Sequence, residues 1–228
     1  MADGSAPPID MLVLHYTDME SAEASLARLC DPEAAVSAHY LIDEDGTIYR
    51  LVAETERAWH AGRAVWRGVD DVNSRSIGIE LQNPGHRLGY RAFPAAQIAA
   101  LIALARDILA RHPIPPRNVL AHSDVAPDRK LDPGELFPWP ELAAEGIGLF
   151  PEAPSAGADP AATADSLARI GYDPGAEAAI AAFQRRFRPA RIDNEVDAET
   201  AGLVEAYLRL CEAEGASDTL GTKGETAR

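Results

Sequence analysis

Two histidines, His15 and His122, each close a short apolar run, Met11-Leu12-Val13-Leu14 and Val119-Leu120-Ala121. Runs of this kind read as buried strands, and a residue at a strand end is held rigidly while it faces an opening in the fold. Asp132 follows in the loop Asp128-Arg129-Lys130-Leu131-Asp132-Pro133-Gly134, which can fold back beside His122. Two neutral imidazoles and one carboxylate form a ligand set for one zinc ion per chain, with a fourth position left for water. The net charge of such a unit, about +1, suits an electrophile for a carbonyl oxygen. Spacing alone leaves a second reading open, in which both histidines are hydrogen-bonded core residues.

The elements that would hold these residues follow from periodicity. Ile77-Gly78-Ile79-Glu80-Leu81 reads as a buried strand that carries one carboxylate, Glu80. A buried carboxylate needs a partner or a raised pKa, which disfavours its alternative as a solvent-facing strand-edge residue. Val36 to Ile42 and Thr47 to Val52 flank the turn Asp43-Glu44-Asp45-Gly46 and read as a hairpin. A helix is expected from Met19 to Cys30 with Asp18 as its N-cap, a long amphipathic one from Pro94 to Arg111, and a short one from Trp139 to Glu145. The fold class is therefore α/β, a central mixed sheet flanked by helices, over residues 9–149. The Pro- and Ala-rich stretch 150–163 reads as a linker. Residues 164–213 carry three helical periodicities, with Ile180, Phe183 and Phe187 on one face, and 214–228 read as a polar, disordered tail.

Composition narrows the partners. Of 228 residues, 36 are acidic and 21 basic, so the formal charge of −15 disfavours nucleic acid and anionic membrane surfaces. No apolar run approaches the roughly 18 residues that span a bilayer. The N-terminus carries neither the basic nor the apolar region of a secretory signal, which points to the cytoplasm, with the periplasm as the alternative if a signal has been removed. Cys30 and Cys211 have no neighbour at metal or redox spacing and read as small buried or half-buried residues. The sequence does not set the oligomeric state.

Leu14-His15-Tyr16-Thr17, Val36-Ser37-Ala38-His39-Tyr40-Leu41-Ile42, Ala58-Trp59-His60-Ala61-Gly62, Ser76-Ile77-Gly78-Ile79-Glu80-Leu81 and the segment Ala121 to Gly134 stand in an order that resembles one family. It is that of the zinc-dependent N-acetylmuramoyl-L-alanine amidases of type 2, related to the peptidoglycan recognition proteins. The likeness runs from about Ile9 to Phe150. Ala178 to Arg188 with Val196-Asp197-Ala198-Glu199-Thr200 resembles a helical peptidoglycan-binding-like domain. That domain's usual glycine-rich turn is replaced here by Pro189 to Asn194, so a structural role against the amidase part is as open as glycan binding.

The resemblance implies His15, His122 and Asp132 as zinc ligands, Glu80 as the catalytic acid/base and Lys130 as the cation beside a developing oxyanion. It also implies peptidoglycan fragments as partners, with soluble 1,6-anhydro-muropeptides expected for a cytoplasmic enzyme of cell-wall recycling. Tyr16, His60 and Trp66 are candidates for substrate contact, with Trp66 either a saccharide platform or a core aromatic. His39 reads as a structural residue, and His86 and His112 as solvent-facing. Two other readings stand against catalysis of this kind, a wall-binding module without activity and a metal-dependent phosphoesterase.

Overall fold

Alternate residues of the first strand bury opposite faces of a sheet, and this sets where the site must lie. The computed structural model describes residues 8–221. The larger part of the chain contains β1 (Met11–Tyr16), α1 (Ala22–Leu29), β2 (Tyr40–Ile42), β3 (Ile48–Arg50), β4 (Ser76–Leu81), α2 (Gly85–Leu88), α3 (Ala95–Arg111), β5 (Val119–Ala121), α4 (His122–Val125) and α5 (Trp139–Ala144). Three helices follow, α6 (Thr163–Ile170), α7 (Ala179–Phe187) and α8 (Ala198–Gly221). The sheet has the order β3-β2-β4-β1-β5; β4 pairs parallel with β1 and β2, β5 parallel with β1, and β3 closes an antiparallel hairpin on β2. The fold is the expected α/β sheet flanked by helices.

Central parallel strands are covered on both faces, which is why their sequences are almost continuously apolar. Leu12 and Leu14 of β1 and Ile77 and Ile79 of β4 pack against Ile98, Leu101, Leu104 and Ile108 of α3. Met11 and Val13 point the other way and join Leu120, Val125, Leu167, Phe183, Phe187 and Tyr207 in a second apolar cluster. The three C-terminal helices therefore share a core with the sheet. The stretch read as a linker is laid down on α8, where the Ser155 amide donates to the Gly202 carbonyl at 2.9 Å.

Several boundaries differ from the sequence reading, each for a local reason. Helix α1 starts at Ala22 because Ser21, with extended backbone, accepts the Ala24 amide. Asp18 has φ of 52° and pairs instead with Arg87. The hairpin strands are shorter than expected, with Gly46 at φ 90° closing the turn. Cys30 is exposed, while Cys211 is buried. Helix α8 continues through the start of the expected polar tail to Gly221, and Glu214 pairs with Arg117 at 3.1 Å. The rest of that tail, 222–228, lies outside the described residues. Among the described residues, no helix is long and apolar enough to cross a membrane.

Candidate metal centre and active-site cleft

His15 continues the Met11–Val13 face of β1, and the parallel register sets it directly beside Glu80 of β4. His122 follows β5 without a break and opens α4. The loop after α4 returns to it: the Ser123 amide donates to the Asp132 carbonyl at 3.0 Å, and the Tyr90 hydroxyl donates to the Pro133 carbonyl at 2.8 Å. Gly134, at φ 90°, is required here, because a Cβ would stand 2.3 Å from the Tyr90 oxygen. This brace delivers Asp132 to the two histidines.

The three expected ligand residues are buried and converge. His15 Nδ1 lies 2.8 Å from His122 Nδ1 and 3.1 Å from Asp132 Oδ2, and His122 Nδ1 lies 2.9 Å from the same oxygen. On its far side, His122 Nε2 stands 3.0 Å from the Ala61 carbonyl, which can only accept, so Nε2 carries the proton. In the neutral ring this leaves Nδ1 a bare acceptor facing a carboxylate. Burial, reinforced by the His122 ring, lowers the His15 pKa to about 4, so that ring is neutral near pH 7. Burial raises the Asp132 carboxyl, and only positive charge or donated protons on the His122 and His15 side hold it below the usual range; where both rings face it with bare nitrogens, a cation must supply that charge. Two imidazole nitrogens and an ionised carboxylate in one small space are a donor set suited to zinc. Ligand atoms around tetrahedral zinc stand roughly 3.3 Å apart, so these residues fit the ion with little movement.

Glu80 lies next to this centre. Burial pushes its carboxyl well above the usual range and the Asp132 charge adds to the shift, while Lys130 opposes it. Its Oε2 is buried and makes no hydrogen bond among the described residues. Glu80, Lys130, Tyr16, His122 and Asp132 all line one cleft of about 570 Å³.

Of the expected substrate contacts, Trp66 takes its core alternative and His60 lies at the edge of the cleft. Trp66 is only 1% exposed; its indole donates to Asn118 Oδ1 at 3.2 Å and its ring packs edge-on to Tyr172, so it is a core aromatic. His60 is among the residues lining the cleft, but the residue is only 8% exposed and both ring nitrogens face inward, to His15 and Ser76. Tyr16 does face the cleft and hydrogen-bonds His86 Nδ1 at 2.8 Å. His39 is a structural residue: its Nδ1 accepts the Gly78 amide and its Nε2 donates to the Glu56 carbonyl.

The sequence reading missed two cleft residues. Trp59 is 56% exposed at the rim, with Arg57 stacked on its ring at 4.2 Å. His86 also lines the cleft, held by Tyr16, by Glu135 at 3.0 Å and by stacking on Tyr90. His112, likewise read as solvent-facing, is bonded to Glu54 at 2.7 Å. The exposed Trp in Ala58-Trp59-His60 was the available signal, since a large ring among small residues beside a buried His has little core to enter.

A converging ligand set beside an unpaired carboxylate, at the carboxyl ends of parallel strands and open to a cleft, defines an enzyme site. Residues 5–135 match the family of N-acetylmuramoyl-L-alanine amidases. The chain is 43% identical to the N-acetylmuramoyl-L-alanine amidase AmiD of Escherichia coli (strain K12), over 91% of this chain and 85% of that protein. It superposes with a TM-score of 0.80 on the structure of E. coli AmiD in complex with anhydro-N-acetylmuramic acid-L-Ala-D-gamma-Glu-L-Lys, at 42% identity and 92% coverage of both chains. AmpDh3 of Pseudomonas aeruginosa, in complex with an anhydromuramic pentapeptide, gives a TM-score of 0.76 at 33% identity, over 90% of this chain and 93% of that one. The chain belongs to the N-acetylmuramoyl-L-alanine amidase family. It is an amidase, hydrolysing the amide between N-acetylmuramic acid and L-alanine.

Proposed function

We propose that the chain performs this hydrolysis as a zinc enzyme on 1,6-anhydro-muropeptides in cell-wall recycling, with His15, His122 and Asp132 holding the ion. The observation that carries the reading is the crowding of two imidazole nitrogens and a carboxylate oxygen at 2.8–3.1 Å, next to the unpaired Oε2 of Glu80. When bound, zinc supplies a Lewis acid for the amide carbonyl and a water acidic enough to lose its proton near neutral pH.

Glu80 takes the proton of the attacking water at its carboxylate as the water oxygen bonds to the lactyl carbonyl carbon. The same carboxyl then gives a proton to the L-alanine nitrogen as the carbon–nitrogen bond breaks, leaving a carboxylic acid and a free amine. Burial holds this carboxyl well above the usual carboxylate range, which makes it a stronger base than an exposed glutamate and suits it to take up the water proton and hand it on. Lys130 supplies positive charge to the oxygen that becomes negative when water adds. Trp59 and Tyr16, at the cleft wall, offer a ring face and a hydroxyl to the sugar and the peptide. The anhydro form is supported by the ligands of the E. coli and P. aeruginosa relatives. The compartment, the cytoplasm or alternatively the periplasm, belongs to this proposal, and cell fractionation tests it. A wall-binding role without catalysis is disfavoured because the ligand residues, Glu80 and Lys130 all line or border one cleft.

The test combines zinc-loaded protein with an anhydro-muropeptide and follows the free stem peptide by mass spectrometry. Cleavage is expected to stop with chelator and to return with added zinc. Glu80→Gln is expected to keep its zinc and lose turnover by about 10²–10⁴-fold. Cleavage undiminished by chelator would overturn the metal, and full turnover in Glu80→Gln would overturn the acid/base role.

A further inference from the structure

His60 was expected at the substrate; its surroundings give it a different task. The Val72 carbonyl has no proton to give, so at 2.6 Å it accepts the Ser76 hydroxyl proton. With that proton committed, Ser76 Oγ, 3.2 Å from His60 Nε2, can only accept, and His60 must carry its proton on Nε2. With its one proton on Nε2, the neutral imidazole of His60 has a bare Nδ1. That nitrogen lies 3.0 Å from His15 Nε2 and accepts the proton there. His15 is thereby left with an unprotonated Nδ1, the atom that faces His122 and Asp132. The opposite tautomer of His15 would set two lone pairs against each other in a buried contact, at the cost of an unmade hydrogen bond.

The backbone is shaped for this ring. Gly78 lies beneath it, and a Cβ there would come within 2.3 Å of His60 Cγ. Asn73 Oδ1 accepts both the His60 and the Ala61 amides, at 3.1 and 2.9 Å, and so pins the segment. Ala61, the next residue, accepts from His122 through its carbonyl. Two consecutive residues thus orient both imidazoles, one through its side chain and one through its backbone.

We infer that His60, held by Ser76, is a positioning residue that fixes His15 with Nδ1 bare and aimed at His122 and Asp132, and so sets how tightly the centre holds zinc. The inference rests on the zinc reading above. Partners of this kind, which hold the far nitrogen of a ligand histidine, typically change metal affinity by about 10–100-fold when removed.

The test measures zinc dissociation constants by chelator competition for the full chain and three variants, with circular dichroism of the apo proteins as a check on folding. His60→Leu removes the acceptor and is expected to weaken zinc binding about 10–100-fold. His60→Asn places an amide oxygen close to the position of Nδ1 and is expected to recover most of that loss, which a purely space-filling role would not explain. Ser76→Ala frees the His60 proton and is expected to weaken binding by a smaller factor; it also serves if His60→Leu does not fold. Wild-type affinity in His60→Leu, or in Ser76→Ala where His60→Leu does not fold, would overturn the inference. Equal losses in His60→Leu and His60→Asn would overturn it as well. Failure of the wild-type chain to bind zinc would instead sink the zinc reading itself.

Discussion

Asp124 and Asp132 are both buried, both close to His122 in sequence, and surrounded in opposite ways. Asp124 has donors on both oxygens: the Tyr172 hydroxyl on Oδ1 at 2.7 Å, and the Ala121 amide and Arg186 Nη1 on Oδ2 at 2.9 and 2.6 Å. The Arg186 guanidinium also donates to the Val119 carbonyl and stacks on the Trp139 ring at 3.9 Å. Its charge is met by Asp124 within the chain. Asp132 instead faces two imidazole nitrogens, and the proton His122 does carry points away to Ala61. A buried carboxylate closed by its own chain is structural, and one left facing other acceptors is matched to a cation from outside.

The comparison can be broken at its satisfied end first. Arg186→Met strands the Asp124 charge and is expected to cost about 3–5 kcal/mol of stability in urea unfolding. Adding Asp124→Asn removes the second charge and is expected to recover part of that loss. A single variant within about 1 kcal/mol of wild type would mean that the pair does not tie α7 to α4 as described. Because Tyr172 and Arg186 both belong to the C-terminal helices, the same result reports on their structural role against the sheet.

A smaller effect sharpens the contrast at the surface. Burial alone would raise the Glu54 carboxyl, but hydrogen bonds from Arg111, Tyr40 and His112 hold it near 2. Its folded pKa lies below the unfolded value of about 4.3, so its contribution is present above that value and fades as pH falls towards 2. Glu54→Gln is expected to be less stable than wild type at neutral pH, with the two curves converging on acidification from about 4.3 to 2. A difference that does not change with pH would point to packing rather than charge.

The strands, the long helix α3 and the convergence of His15 with His122 and Asp132 were legible because each is written locally, as an apolar run or a strand end, and the family likeness fixed their order. Glu80 could be seen as a carboxylate in an apolar strand, but its place beside His15 depends on parallel register. The Asp124–Arg186 pair left no trace in the sequence, since it joins two helices far apart in the chain and neither residue breaks its local pattern. The sequence leaves the role of Trp66 open, and passes over Trp59, for a related reason. Which tryptophan is buried depends on Tyr172 and Asn118 packing against it, and both come from elsewhere in the chain. The polar residues after Glu214 read as a tail because their apolar content is low, yet α8 carries on to Gly221.

The most direct test of the central claim is calorimetric titration of apo protein with zinc for the wild type, Asp132→Ala and Asp124→Asn. One ion per wild-type chain, none in Asp132→Ala and one again in a folded Asp124→Asn are the expected results. Zinc bound as tightly by Asp132→Ala as by the wild type would contradict the account.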